Sequence, residues 1–377
     1  MKKKQPRLQR IKKVARKVHL VLGLLSGAVV FILALTGTCL SFQDEIRAYY
    51  TADFSTVEAE DRPFITASAA KASAKEVFPD QSVHGTIFGE KTAAAVVVFY
   101  DAEPRFYQRV YLNPYSGEVL GIEDYDSGVL AFALRGHTRL WLPSSIGSVL
   151  VSYSTLLFLF ILISGLALWW PKNKRHLKQS LQFKWNQRTS LKRKIIQVHT
   201  VFGVYLSAFV LVFAITGSIL GLGWFYFIVF KAAGGTNNPR FIIPNSKRTP
   251  LSAAERTARL DELIPRLQQQ IPAHKELEIH FPDTDSCAIY VEVGYTEGVY
   301  YNADYRFFDP NTLEEIKTES IYNVYAESDF ADKVIRMNYD THVGAIFGLT
   351  GKIIVFFASL LIAILPLTGL ANWYKRR

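Results

Sequence analysis

His19, His137, His199 and His342 stand at matched positions in a chain of 377 residues. His19 opens the stretch HLVLGLLSGAVVFILALTG, and His199 opens HTVFGVYLSAFVLVFAITG 180 residues later. Both stretches keep a glycine four residues on (Gly23, Gly203) and close on Thr-Gly (Thr36-Gly37, Thr216-Gly217). His137 and His342 each precede a further apolar run, 27 residues before Ser164-Gly165-Leu166 and 26 before Thr368-Gly369-Leu370. Two imidazoles facing each other from different helices at one depth can fill both axial positions of a b-type haem iron. Methionine is the usual alternative ligand, but the chain has only Met1 and Met337, so bis-histidine ligation is expected. The pairs are then His19 with His199 and His137 with His342, holding two haems b. A helix from His19 to Gly37 rises about 27 Å at ~1.5 Å per residue, which sets one pair near each face of a bilayer.

Each of these residues also has a plainer reading. A lone histidine at a membrane interface is more often a hydrogen-bonding residue than a ligand. Four of them in two copies, paired by depth, shift the balance toward function. Gly23 and Gly27, like Gly203 and Ser207, share the histidine's helix face and would leave room for a porphyrin ring. The spacing Gly23-x3-Gly27 is equally a helix-packing motif. Arg16, Lys17, Arg193 and Lys194 near the first pair, and Arg135, Arg139 and Arg336 near the second, are candidates to neutralise propionates; the first four also serve as topology charges. No acid or histidine lies four residues from these histidines, which excludes an HExxH-type site. No G-x-G-x-x-G links a strand to a helix, so a separate electron donor is expected, either a cytoplasmic reductase or a membrane quinol. No residue is assigned a catalytic role of its own.

Four apolar runs carry these positions: roughly 20–42, 146–170, 200–229 and 353–371. Each is long enough to cross a bilayer, which needs ~20 apolar residues. The net charge of +10 is not spread evenly. Residues 1–17 and 171–194 each hold nine Lys or Arg and no acid, and the chain ends Lys375-Arg376-Arg377. The remaining segments are net acidic. This is the positive-inside pattern, with basic segments cytoplasmic and the long acidic insertions outside. It excludes nucleic acid as the partner of the charge and makes membrane lipid the expected surroundings. Both termini are expected in the cytoplasm. The expected organisation is a cytoplasmic start and first span (1–42), a first insertion (43–143), a second span (144–170), a basic loop (171–194), a third span (195–230), a second insertion (231–340), and a fourth span with its tail (341–377). Cys39 and Cys287 lie far apart in sequence and form no CxxC motif.

The insertions read as α+β. In the first, an Ala-rich helical stretch (65–78) is followed by strand-like runs at 95–100 and 106–112, then the turn NPYSGEVLG. In the second, an amphipathic helix (250–270) precedes strands at 276–281, 287–293 and 301–309, with Asp309-Pro310-Asn311 where the first has Asn-Pro. His84, His274 and His280 in the insertions, and His176 in the basic loop, show no spacing that specifies a site. The tyrosines of the insertions (Tyr111, Tyr115, Tyr295, Tyr300, Tyr301, Tyr305) mark strand faces, or line a site for a ligand with aromatic or hydroxamate groups.

The segment VYLNPYSGEVLG (110–121) resembles the signature of a PepSY domain. The His-x3-Gly…Thr-Gly helices and the exit SGLALWWP resemble the PepSY-associated transmembrane helix family, over nearly the whole chain. FDPNTLEEI (308–316) lacks the glycine of the PepSY turn. The resemblance implies a bacterial inner-membrane protein of four transmembrane helices with two periplasmic α+β PepSY-like insertions and an internal two-fold repeat. It also implies haem-dependent reduction of a ferric siderophore, of the hydroxamate class such as ferrioxamine, on the periplasmic side. Fe(II) is then released because hydroxamate or catecholate oxygens hold the softer ion more weakly. Two other functions fit the same architecture. One is an iron or siderophore permease without redox chemistry. The other is a membrane-anchored PepSY module that regulates a partner.

Overall fold

The structure is a computed structural model that describes residues 7–374, apart from 104, 172–173, 247–250, 283 and 285. The charges of Lys2, Lys3, Lys4, Lys172 and the last three residues therefore lie outside the described residues. In chain order the elements are α1 (Arg7–Leu40), α2 (Gln43–Thr51), α3 (Ala67–Val77), β1 (Val83–Phe88), β2 (Ala95–Ala102), β3 (Arg105–Leu112), β4 (Val119–Asp124), α4 (Gly128–Arg139), α5 (Ser144–Trp169), α6 (Lys174–Ser180), α7 (Leu191–Tyr205), α8 (Ser207–Gly221), α9 (Gly223–Ala232), α10 (Ala253–Gln270), β5 (Glu276–His280), β6 (Ile289–Gly294), β7 (Asp304–Phe308), α11 (Phe330–Arg336), α12 (Asn338–Val343) and α13 (Gly348–Tyr374). They form two compact units. A helical unit runs up to Phe42, through Phe132–Tyr226 and onward from Thr341; a sheet unit takes Gln43–Ala131 and Phe227–Asp340.

In the helical unit α1 packs on α5 and α13, α8 packs on α5, and α7 on α13, which closes a ring of four. Among the described residues three helices are long and apolar enough to cross a membrane, and α7 with α8 makes a fourth if the bent pair is one span. That pair turns by 63° at Leu206, so the expected single helix over 195–230 is in fact α7, α8 and the separate α9. The spans carry large apolar side chains on their outward faces. Leu25, Phe160, Ile163 and Leu349 point outward. The inward face is small or hydroxylic, with Ser26, Thr36, Ser152, Ser164, Thr216, Ser218 and Ser359 all buried. Small residues let backbones approach where hydrophobic burial supplies no drive between helices. Val30, Ala34, Leu206, Val210, Ile362 and Leu365 fill the centre.

The sheet unit differs from the two separate insertions expected. It is one seven-stranded antiparallel sheet in the order β4-β3-β2-β1-β5-β6-β7. Residues 43–131 supply β1–β4 and residues 227–340 supply β5–β7. The seam is β1 against β5, with Thr86 opposite Ile279 and Phe88 opposite Leu277. Separate domains would each expose an edge of unpaired N–H and C=O groups along these strands; pairing them satisfies both edges. Helices α3 and α10 cover one face over a common core of Phe88, Val97, Phe99, Leu112, Leu263, Leu267, Leu277, Ile279 and Val291. Ser252 and Glu255 form a capping box at the start of α10. The Asn-Pro turn is as read from the sequence: Asn113 Oδ1 accepts the Tyr115 N–H at 2.8 Å, and Gly117 takes φ +79°. Strands β1 and β4 were not anticipated. Strand β4 occupies the second half of the turn motif, and β1 is broken by a bulge between Val83 and Gly85 that disrupts its alternation.

Candidate functional site

All four matched histidines belong to the helical unit, and they meet in the expected pairs. The His19 and His199 rings lie 6.0 Å apart centre to centre, and those of His137 and His342 lie 6.2 Å apart. His19 is on α1 and His199 on α7. His137 and His342 sit on the short helices α4 and α12, just before the spans α5 and α13.

Each imidazole is held through Nδ1 by a hydroxyl residue of the neighbouring helix. His19 Nδ1 reaches Ser164 Oγ at 3.2 Å and the Ile161 carbonyl at 3.0 Å. His199 Nδ1 reaches Thr368 Oγ1 and the Leu365 carbonyl, both at 3.1 Å. His137 Nδ1 lies 3.1 Å from Thr36 Oγ1, and His342 Nδ1 lies 2.7 Å from Thr216 Oγ1. The hydroxyl protons have partners of their own, which fixes the tautomers. Thr36 donates to the Ile32 carbonyl, Thr216 to Val212, Ser164 to Ile161 and Thr368 to Ile364. Each hydroxyl oxygen therefore accepts, each Nδ1 carries the proton, and each Nε2 is left with its lone pair. This is how a metal-ligating imidazole is oriented by the groups behind it.

The residue after each hydroxyl is a glycine, and a Cβ there would press on the same ring. At Gly165 it would stand 3.1 Å from His19 Cε1, and at Gly369 3.3 Å from His199 Cε1. At Gly37 it would stand 3.2 Å from His137 Cε1, and at Gly217 3.4 Å from His342 Cε1. The Ser/Thr-Gly dipeptides are thus cradles: the first residue takes the Nδ1 proton, the second makes room for the ring. The repeated dipeptides were visible in the sequence, but not their purpose.

The corners that place His137 and His342 are tightly built. Helix α4 is followed by Leu140 and Trp141, both with positive φ (54° and 58°), a conformation side-chain-bearing residues rarely take. Gly147 of α5 packs on the Arg139 carbonyl, and Gly351 of α13 on the Gly344 carbonyl, where a Cβ would come within 1.9 and 2.0 Å. Arg336, expected near this second pair, is instead buried in the sheet unit. Its guanidinium donates to the Ala303 and Asn323 carbonyls and to Ser328 Oγ. Among the remaining histidines, His274 stays local, with Nδ1 at the Ile271 carbonyl. His84 and His280, 196 residues apart in sequence, come together on the sheet.

No curated protein matches the chain. The sequence model of one family, described as the PepSY-associated TM region, matches residues 16–376 and so spans all four histidines, the helical unit and the sheet. The chain belongs to the family of the PepSY-associated TM region.

Proposed function

We propose that the chain is a membrane electron-transfer protein that holds two b-type haems and reduces ferric siderophore outside the cytoplasm. The observation that carries this reading is the approach of two imidazoles in each pair, each held from behind through Nδ1. Metal–nitrogen bonds of ~2.0 Å, with about 1.1 Å from each nitrogen to its ring centre, put two axial imidazoles about 6 Å apart. The separations of 6.0 and 6.2 Å fit an iron between the rings. One turn from the first pair, a Cβ at Gly23 or Gly203 would meet nothing within 4 Å, which is space for a macrocycle edge.

His19 and His199 would ligate one haem and His137 and His342 the other. Bound haem supplies a one-electron couple at each pair. The residues of this chain fix both ligand rings before the cofactor arrives, so little rearrangement accompanies a change of oxidation state. Along α1, His19 of one pair and Gly37 in the cradle of the other lie about 27 Å apart at ~1.5 Å per residue, which divides the crossing between the two pairs. A quinol or a cytoplasmic reductase is the donor; a quinol gives two electrons and two protons and so reduces two ferric ions. The basic ends of the spans support a reading in which His19 and His199 lie toward the cytoplasm and His137 and His342 toward the outer face of an inner membrane, and in which the insertions are periplasmic. The hydroxamate class of siderophore follows from family resemblance.

Optical spectra of the detergent-purified protein before and after dithionite test this. A sharp reduced α band, with a different part lost in His19→Ala and in His342→Ala, is the expected result. A protein that stays colourless after haem addition refutes it. Given haem, a ferrous-iron chelator added with reductant and ferrioxamine then reads the reaction.

A further inference from the structure

A second cluster of ligating side chains lies in the sheet unit. On β5 Leu277 and Ile279 point into the core under α3 and α10 and are fully buried. Alternation along a strand puts Glu276, Glu278 and His280 on the opposite face. Strand β1 pairs with β5 so that Gly85 stands opposite His280. One residue earlier β1 bulges: Val83 pairs with Phe99 and Gly85 with Val98, leaving His84 as the extra residue. A bulge re-aims a side chain, and here it brings the His84 ring to 4.8 Å from that of His280.

The ligand atoms of His84, Glu278 and His280 all lie within 4.8 Å of one another. His280 Nε2 is 3.5 Å from Glu278 Oε1. Two ligands bound to one ion at ~2.0–2.1 Å in tetrahedral geometry are about 3.3 Å apart, so this pair already has near-ligand spacing. Three further observations separate the cluster from a chance meeting. His280 Nε2 is buried and makes no hydrogen bond among the described residues. The His280 ring is fixed by stacking on Tyr290, 4.3 Å away and inclined by 17°. Position 85 is glycine, where a Cβ would stand 3.2 Å from Glu278 Oε1 and 3.3 Å from His280 Nδ1, crowding both ligands. The facing Glu292 accepts the Tyr290 hydroxyl at 2.8 Å, which sets it apart from the three.

We propose that His84, Glu278 and His280 form a binding site for one divalent first-row transition ion. Two imidazoles and one carboxylate suit Zn2+ or Fe2+, and the all-oxygen preference of Mg2+ and Ca2+ argues against those ions. Three protein ligands leave a position open to water or to an exchanging ligand. His84 is exposed and closes the site from the solvent side. The site bridges the seam strands, so it also ties residues 43–131 to residues 227–340. It does not depend on haem at the helical pairs.

The test is calorimetric titration of Zn2+ into the full-length, untagged, chelator-stripped protein, with metal analysis after desalting. One Zn2+ per chain is expected. Glu278→Gln, His280→Ala and His84→Ala should each weaken it by more than about 100-fold, since lesser partners behind metal ligands already cost 10–100-fold. His84 is exposed on a bulge, so its variant should keep the wild-type melting curve and circular dichroism. His19→Ala and His342→Ala should bind as wild type does. Absence of saturable binding, or binding unchanged in His84→Ala, overturns the proposal. Binding lost only in His19→Ala or His342→Ala moves the ion to the helical pairs and overturns it too.

Discussion

Replacing Thr216 with valine removes one hydroxyl and leaves the side-chain shape nearly unchanged. That hydroxyl donates to the Val212 carbonyl at 2.7 Å and accepts the His342 Nδ1 proton at 2.7 Å. In the variant the N–H faces a methyl group. A buried donor without an acceptor costs ~1–3 kcal/mol. The His342 ring is only partly enclosed, which favours the lower part of that range, ~1–2 kcal/mol, or about 5- to 30-fold in affinity. The loss should fall on the His137–His342 pair alone, because His19 and His199 rest on Ser164 and Thr368. Thr38→Val is the control: Thr38 is equally buried, and its hydroxyl donates to the Ala34 carbonyl at 2.9 Å as Thr216 does to Val212. The assay is haem titration into haem-free protein carrying His19→Ala, so that one pair is read alone. Removing the acceptor also makes the ring a weaker electron donor, so the midpoint potential at that pair should rise. If Thr216→Val binds haem as tightly as Thr38→Val does, the hydroxyl is not the orienting group and the cradle argument fails.

Gly165→Val should abolish haem at the His19 pair and spare the other, because its Cβ begins 3.1 Å from the His19 ring and the added methyls have no room; paired spectra with the His342→Ala variant check this. Thr86 is fully buried on β1 and its hydroxyl has no hydrogen-bond partner among the described residues, so Thr86→Val should raise stability by about 1 kcal/mol in a thermal melt. Burial, aided by the facing Glu292, pushes the Glu278 carboxyl from 4.5 up to about 8. The fold then binds the proton more tightly than the unfolded chain. In chelator, the stability it lends is full below pH 4.5 and lost as pH rises through 8. Glu278→Gln should therefore match wild type at acid pH and melt increasingly above it as pH rises; a constant difference across that window would contradict the assignment.

The sequence by itself located the long apolar helices and the four histidines that the fold brings together in two pairs. Long apolar runs flanked by Lys and Arg have few other uses, and an offset of 180 residues aligned His19 with His199 without reference to any fold. It also located the two helices that cover the sheet, α3 and α10, and five of the seven strands, because alternation and turn residues act over a few neighbours. Tertiary structure decided what each local signal was for. The Ser/Thr-Gly dipeptides read as repeat markers until Ser164 was found against His19 and Thr36 against His137. The two insertions read as separate domains because nothing local encodes which strand edges will meet, and the β1–β5 seam joins residues about 190 positions apart. The His84–Glu278–His280 cluster needed that seam and a bulge together. Glu276-x-Glu278-x-His280 was legible as one strand face, but the third ligand arrives from a strand whose alternation the bulge itself conceals.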